Sequence, residues 1–147
     1  MFKETSKELL DFLSKSPTAF HAVENYRQIL NADGFKELLE SEHWNIVPGG
    51  KYYVTRNNTS ILAFKVGTKL DNYSFNIVTS HTDSPTFKVK ENAEIEVKNK
   101  YTQLNTEGYG GMLCATWLDR PLSIAGRVLV SEGNSIVTKL LNTGEIG

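Results

Sequence analysis

An apolar run that stops abruptly at polar residues constrains this 147-residue chain more than any other feature. The run extends from Ser74 to Ser80, is rich in β-forming side chains, and leads directly into His81, Thr82 and Asp83. A continuous apolar run of this length is typical of a buried strand, so it predicts the central strand of a sheet. Because ligands of open α/β sheets bind beyond the carboxyl ends of strands, the sequence predicts a functional site just after Ser80.

The candidate residues of this site are His81 and Asp83. They are two residues apart in a predicted extended segment, where alternate side chains point to the same side. A metal-bound imidazole usually donates its other N–H to a carboxylate, so Asp83 is placed to orient His81 as a ligand. His-x-Asp is a weak signal by itself. The same residues also allow a simple turn, in which Asp83 bonds the backbone and Pro85 restricts Ser84.

Charge and cysteine content exclude several classes of partner. The formal net charge is −1, with 22% charged residues of both signs, which gives no electrostatic footprint for nucleic acid or an anionic membrane. Cys114 is the only cysteine, so a disulfide framework and a cysteine-based zinc finger are excluded. No histidine is tied to Cys114 by the sequence, as a cysteine nucleophile would require. Without a signal-type apolar segment near Met1, the expected location is the cytoplasm.

The first third of the chain has helical periodicity. Residues 5–8 have the form of a capping box and predict the start of a first helix, and Thr18 caps a second helix that Gly34 ends. We expect His21, in the first turn of the second helix, to be packed or solvated, with a role facing the site left open. Residues 35–40 are expected to add a short turn of helix.

Strand-like patterns follow. Two β-rich segments flank residues 57–59 and predict a hairpin, residues 86–90 and 95–98 alternate as half-exposed strands do, and residues 131–134 predict the turn of a last hairpin. The predicted fold class is α/β, with a mixed sheet covered by the two N-terminal helices.

Two further polar or glycine-rich motifs have structural explanations. Gly108 to Gly111 lacks both the GxGxxG and the Walker patterns, so a tight bend or a close backbone approach explains its glycines better than nucleotide binding. Asp119 and Arg120 interrupt an apolar stretch, and we expect an ion pair or a turn there rather than direct substrate contact.

Three stretches together resemble the aspartyl aminopeptidase family of zinc metallopeptidases, which includes the vacuolar aminopeptidase I type. Residues 16–23 (SPTAFHAV) are similar to the family's N-terminal helix motif, and residues 80–85 (SHTDSP) to its metal-site motif. Residues 109–111 (YGG) and 117–128 (WLDRPLSIAGRV) are similar to its long central signature. The three motifs occur in the family's order and cover most of the chain.

This resemblance implies a zinc aminopeptidase with two zinc ions per subunit, which removes N-terminal residues from peptides and in many members prefers Asp or Glu. His81 matches a zinc ligand of the family, and Asp83 matches the carboxylate that orients this ligand. The family also implies a homo-oligomer.

The resemblance further implies how the chain is divided. Residues 1–90 correspond to the first part of the family's α/β catalytic domain, and residues 91–147 to the start of an inserted, β-rich oligomerisation domain. Family members run several hundred residues, and their other metal ligands and general base lie downstream of the matched region. We therefore expect the N-terminal part of a longer enzyme, inactive by itself. The alternative is a truncated, non-catalytic relative that acts as an assembly or regulatory module.

Overall fold

The computed structural model describes residues 2–72 and 74–144. Backbone contacts divide it into two compact units, of which the first contains the chain up to Asp83 together with Ser123–Gly144, and the second contains Ser84–Leu122. The helices and strands are α1 (Phe2–Ser14), α2 (Ala19–Ala32), β1 (Lys36–Glu37), β2 (Lys51–Arg56), β3 (Ser60–Lys65), β4 (Thr86–Val97), β5 (Tyr101–Tyr109), β6 (Ala125–Glu132) and β7 (Ser135–Asn142), with a 3₁₀ helix at Cys114–Trp117.

The two predicted helices are present. Helix α2 begins after Thr18, whose side chain accepts a hydrogen bond from the backbone N–H of His21, and Gly34 follows the helix at a φ of 79°, as predicted. The predicted start of α1 is wrong. Its Ser6 hydroxyl donates to the carbonyl of Phe2 at 2.8 Å, the bond of a serine inside a helix, so the helix already includes the capping-box residues.

The sheet of the first unit is mixed, as predicted. Strand β2 pairs with β1 in parallel and with β3 in antiparallel orientation. Asn57 and Asn58 link β2 to β3 at φ values of 52° and 55°, which are the left-handed conformations of a tight hairpin turn. The predicted turn of helix at residues 35–40 is wrong. Lys36 and Glu37 pair with β2 instead, and the N–H of Leu38 donates to the carbonyl of Tyr53 at 2.8 Å.

The remaining strands form two hairpins. The two strands predicted at residues 86–90 and 95–98 belong to the single strand β4, which contains a register shift between Val89 and Glu94. Strand β4 pairs with β5, a strand that the sequence analysis missed. The predicted last hairpin is confirmed as β6 and β7, with Gly133 in its turn at a φ of 62°.

The prediction of a central strand at residues 74–80 is wrong. Residues 74–80 are assigned to no helix or strand, and the side chains of Ile77 and Val78 are 76% and 99% exposed. A strand exists only when a neighbour accepts its hydrogen bonds, and within the described residues no strand pairs with this run. The β-forming side chains of residues 74–80 are therefore not sufficient to make this run a strand.

The buried apolar side chains of the first unit are Ala22 and Val23 of α2 and Tyr52 and Tyr53 of β2. Tyr53 faces α2, where its hydroxyl bonds Asn31, and Tyr52 points to the opposite face of the sheet, where its ring packs against Phe64. Helix α1 joins through an aromatic contact in which the ring centroids of Phe12 and Tyr26 lie 4.7 Å apart.

The two units differ in extent from the predicted domains 1–90 and 91–147. Residues 84–90 group with the second unit, and residues 123–144 group with the first. Met1, Tyr73 and residues 145–147, which the predicted domains include, lie outside the described residues. The division of the complete protein into a catalytic and an inserted domain stays a prediction.

Gly50 provides a test of the packing around Tyr52. A Cβ added at Gly50 would lie within 2.5 Å of the phenol oxygen of Tyr52, a buried side chain whose hydroxyl accepts a hydrogen bond from the N–H of Val47. We expect Gly50→Ala to lower the free energy of unfolding by about 1–3 kcal/mol, measured by urea denaturation. In the control Gly126→Ala, the added Cβ meets no atom within 4 Å. Equal stability of the two variants would contradict this account.

Candidate functional site

The structure brings His81 and Asp83 together. Nδ1 of His81 lies 2.8 Å from the backbone carbonyl oxygen of Asp83 and 3.1 Å from its carboxylate Oδ1. Both oxygens are acceptors, so Nδ1 carries the hydrogen and donates it to Asp83. In the neutral ring this tautomer leaves the lone pair on Nε2. The side chain of His81 is 77% exposed, so the ring is accessible to a ligand.

Thr82 attaches this pair to the sheet. Its hydroxyl donates to the backbone carbonyl of Thr59 at 2.6 Å, across 23 positions of sequence. Thr59 is the last residue of the turn of the β2–β3 hairpin, and its own N–H donates to the carbonyl of Arg56 at 3.1 Å. The sequence analysis missed this role of Thr82. No local pattern could have indicated it, because residues 80–83 form no strand and the acceptor lies 23 positions away in the sequence.

The donor set of the site fits one ligand of a zinc ion. A neutral imidazole whose second nitrogen donates to a carboxylate is the usual form of a histidine ligand of zinc. A zinc site needs three or more protein ligands, and within residues 2–72 and 74–144 no group of three His, Cys, Asp or Glu residues is arranged to hold a metal ion. Within the described residues, the site therefore offers the imidazole of His81 as a single candidate ligand.

His21 is part of the structure of its own helix end. Its ring Nδ1 lies 2.8 Å from the hydroxyl of Thr18, the residue that caps helix α2. Burial lowers the pKa of His21 below its usual value. This half-buried position confirms the expectation of a packed histidine.

Three other motifs singled out in the sequence lie in the second unit. Cys114 is exposed. Asp119 has a left-handed backbone with a φ of 54°, and the Arg120 guanidinium donates to the carbonyl of Thr116 at 3.4 Å, so this pair of residues forms a turn. Gly110 lies in a bend with a φ of 75°, which confirms the tight bend, whereas a Cβ there would lie 3.5 Å from Pro85, an ordinary contact distance.

Comparison with known proteins identifies the family of this chain. Residues 12–145 match the sequence profile of the aminopeptidase I zinc metalloproteases, also designated M18. The match covers most of the chain, and the chain therefore belongs to this family of zinc aminopeptidases.

Curated relatives support the same assignment. The chain is 51% identical over 140 residues to a probable M18 family aminopeptidase 2 of Clostridium novyi, covering 93% of this chain and 32% of the relative. It is 45% identical over 139 residues to an aspartyl aminopeptidase of Dictyostelium discoideum, covering 93% and 28% respectively. The chain thus spans about a third of the length of the curated relatives that it matches.

Solved structures share the fold. In a complex of Ape4 with Nbr1, the matching chain has a TM-score of 0.90 and 40% identity, with 95% of this chain and 27% of that chain covered. In the mApe1 dodecamer of S. cerevisiae, the TM-score is 0.82 and the identity 31%, with 97% and 34% covered. The α/β fold class predicted from the sequence is confirmed. Among the described residues, no helix is both long enough and apolar enough to cross a membrane.

The lowered pKa of His21 gives a prediction about pH. Because the pKa is lower in the folded chain than in the unfolded chain, the unfolded state binds more protons in the window just below the usual value of about 6.5. Stability is therefore expected to fall as the pH falls through this window. In His21→Asn this loss should be smaller, measured by urea denaturation at a series of pH values. His43→Asn changes an exposed histidine and is the control; an identical pH dependence of all three proteins would contradict the prediction.

Proposed function

We propose that the intact protein carrying this sequence is a zinc aminopeptidase that hydrolyses N-terminal residues from peptides. The observation that carries the proposal is the arrangement of His81, whose Nδ1 donates to Asp83 and whose Nε2 is left to bind a metal ion, in a chain of the aminopeptidase I family. A preference for N-terminal Asp or Glu is supported by the similarity to an aspartyl aminopeptidase.

In this proposal His81 is a zinc ligand through Nε2, and Asp83 holds its ring in the correct tautomer and orientation. The contact with the carboxylate raises the basicity of the ligating nitrogen. Zinc bound there, proposed as two ions per subunit in the complete enzyme, would polarise the scissile carbonyl and lower the pKa of a bound water so that it could lose a proton and attack at neutral pH. A general base must accept the proton of this water and transfer it to the leaving amine, and we expect a Glu outside the residues described.

The remaining ligands are proposed to lie in the part of the relatives that this chain does not match. The chain spans about a third of their length, and its described residues contain no complete metal cluster. The 147 residues alone are therefore proposed to be inactive.

Assembly is proposed from the similarity to solved structures. We propose a homo-oligomer, because a solved structure with 31% identity is a dodecamer. The cytoplasmic location suggested by composition stays a prediction. The alternative function, a non-catalytic assembly module, has no observation in its favour, because the family profile and both curated relatives are described as peptidases.

The decisive experiment is native mass spectrometry of the intact protein purified from its own cells, together with its His81→Ala variant. The wild-type subunit is expected to carry two zinc ions and to release N-terminal residues from peptides. His81→Ala should lose zinc and all measurable turnover, because it removes the imidazole that binds the metal.

His43→Ala, which changes an exposed histidine away from the site, is the matched control and should retain both properties. A zinc-free wild-type subunit, or full zinc content and turnover in His81→Ala, would reject the proposed function.

Asp83→Asn tests the orienting carboxylate separately. The backbone carbonyl of Asp83 still accepts the hydrogen bond from His81 in this variant, while the negative charge near Nδ1 is lost. We expect zinc affinity and turnover to fall by about 10–100-fold, as is usual when a partner of a ligating histidine is changed. Asp71→Asn changes an exposed aspartate upstream of the site and is the control. If the two variants bind zinc equally, Asp83 has no role in the site.

A further inference from the structure

We propose that Thr82 is a positioning residue, whose hydroxyl fixes the His81–Asp83 pair on the β2–β3 hairpin so that His81 is held ready for the metal. This inference rests on the proposed function and extends it to a residue that lies within the motif but has been given no role by the sequence analysis. It is carried by the 2.6 Å hydrogen bond from Thr82 to the carbonyl of Thr59.

The contact between His81 and Asp83 does not by itself hold the site in place. It joins two residues of the same short segment, so the ring and the carboxylate can move together as one group. The preceding residues 74–80 are assigned to no helix or strand and are exposed. The position of the pair therefore requires a contact to a part of the chain that is itself fixed.

The end of the β2–β3 hairpin is such a fixed point. Its two strands pair in continuous register from Lys51↔Lys65 to Arg56↔Ser60. The left-handed Asn57 and Asn58 close the turn, with the N–H of Thr59 bonded to Arg56 at 3.1 Å. The carbonyl of Thr59 is thus an acceptor in a turn that is closed by this pairing and by its own hydrogen bond to Arg56.

Because Thr82 lies between His81 and Asp83, its hydrogen bond to Thr59 restrains the position of both residues. Its half-buried side chain reaches the hairpin, while the His81 side chain is exposed on the site side. A single hydrogen bond therefore restrains both flanking residues at once. If the pair is already held in place, less conformational freedom is lost when the metal binds. Loss of the hydrogen bond from Thr82 should therefore weaken metal binding.

This effect is tested by measuring the zinc affinity of the intact protein in competition with a chromophoric chelator. Thr82→Val removes the hydroxyl at nearly constant shape and should weaken zinc binding by about tenfold, the lower end of the range for indirect contacts to a metal. Thr82→Ser restores a hydroxyl and should regain most of the affinity. Thr79→Val is the matched control, because Thr79 is an exposed threonine of the same segment.

A second measurement does not depend on the metal. In the zinc-free protein, amide hydrogen exchange of the peptide containing residues 81–83 should be several-fold faster in Thr82→Val than in the wild type or in Thr79→Val. The melting temperatures should remain similar, since the bond restrains a surface segment rather than the core.

The outcomes separate this inference from the proposed function. If His81→Ala abolishes zinc binding while Thr82→Val leaves affinity and exchange unchanged, the positioning role is rejected and the proposed function stands. Equal losses in Thr82→Val and Thr82→Ser would also reject it, because the hydroxyl would then not be the cause. If His81→Ala retains zinc, the proposed function and this inference fail together.

Discussion

A buried tyrosine hydroxyl determines how helix α2 packs on the sheet of the first unit. The side chain of Tyr53 is only 1% exposed, and its hydroxyl donates to Oδ1 of Asn31 at 3.0 Å. Oε2 of Glu37 lies 3.4 Å from the same hydroxyl and accepts a hydrogen bond from Arg27 at 2.8 Å. A buried hydroxyl without a partner costs about 1–3 kcal/mol, so the helix is held in the register that satisfies these groups.

The candidate site depends on this packing through the hairpin. Tyr53 lies in β2, the strand that pairs with both of its neighbours and leads into the turn. The carbonyl at the end of that turn accepts the hydrogen bond from Thr82. The hydrogen bond of Tyr53 in the core is thus connected to the site of His81 through strand β2 and the turn that follows it. This connection explains why a segment without secondary structure can carry a defined pair of side chains.

The sequence predicted the features that are encoded locally. Thr18 caps α2, and the asparagines at residues 57 and 58 form a left-handed turn, because each follows from the chemistry of a few neighbouring residues. Pairing partners were harder to predict. The pairing of β1 and the lack of strand structure at residues 74–80 both depend on which strand lies alongside, and β propensity carries no information about that. The contact of His81 with Asp83 was predicted from period-2 spacing, whereas the bond of Thr82 to Thr59 joins residues 23 apart.

The exposed run at residues 74–80 has the composition of segments that associate with copies of themselves. It combines β-forming side chains with no charge and no proline, the composition from which aggregating cross-β segments form. Asp71 precedes it and Asp83 follows it, so a negative charge stands on each side. Charged residues in these flanking positions oppose the stacking of identical chains. The carboxylate that contacts His81 is therefore also in the position that gatekeeper charges occupy beside such runs.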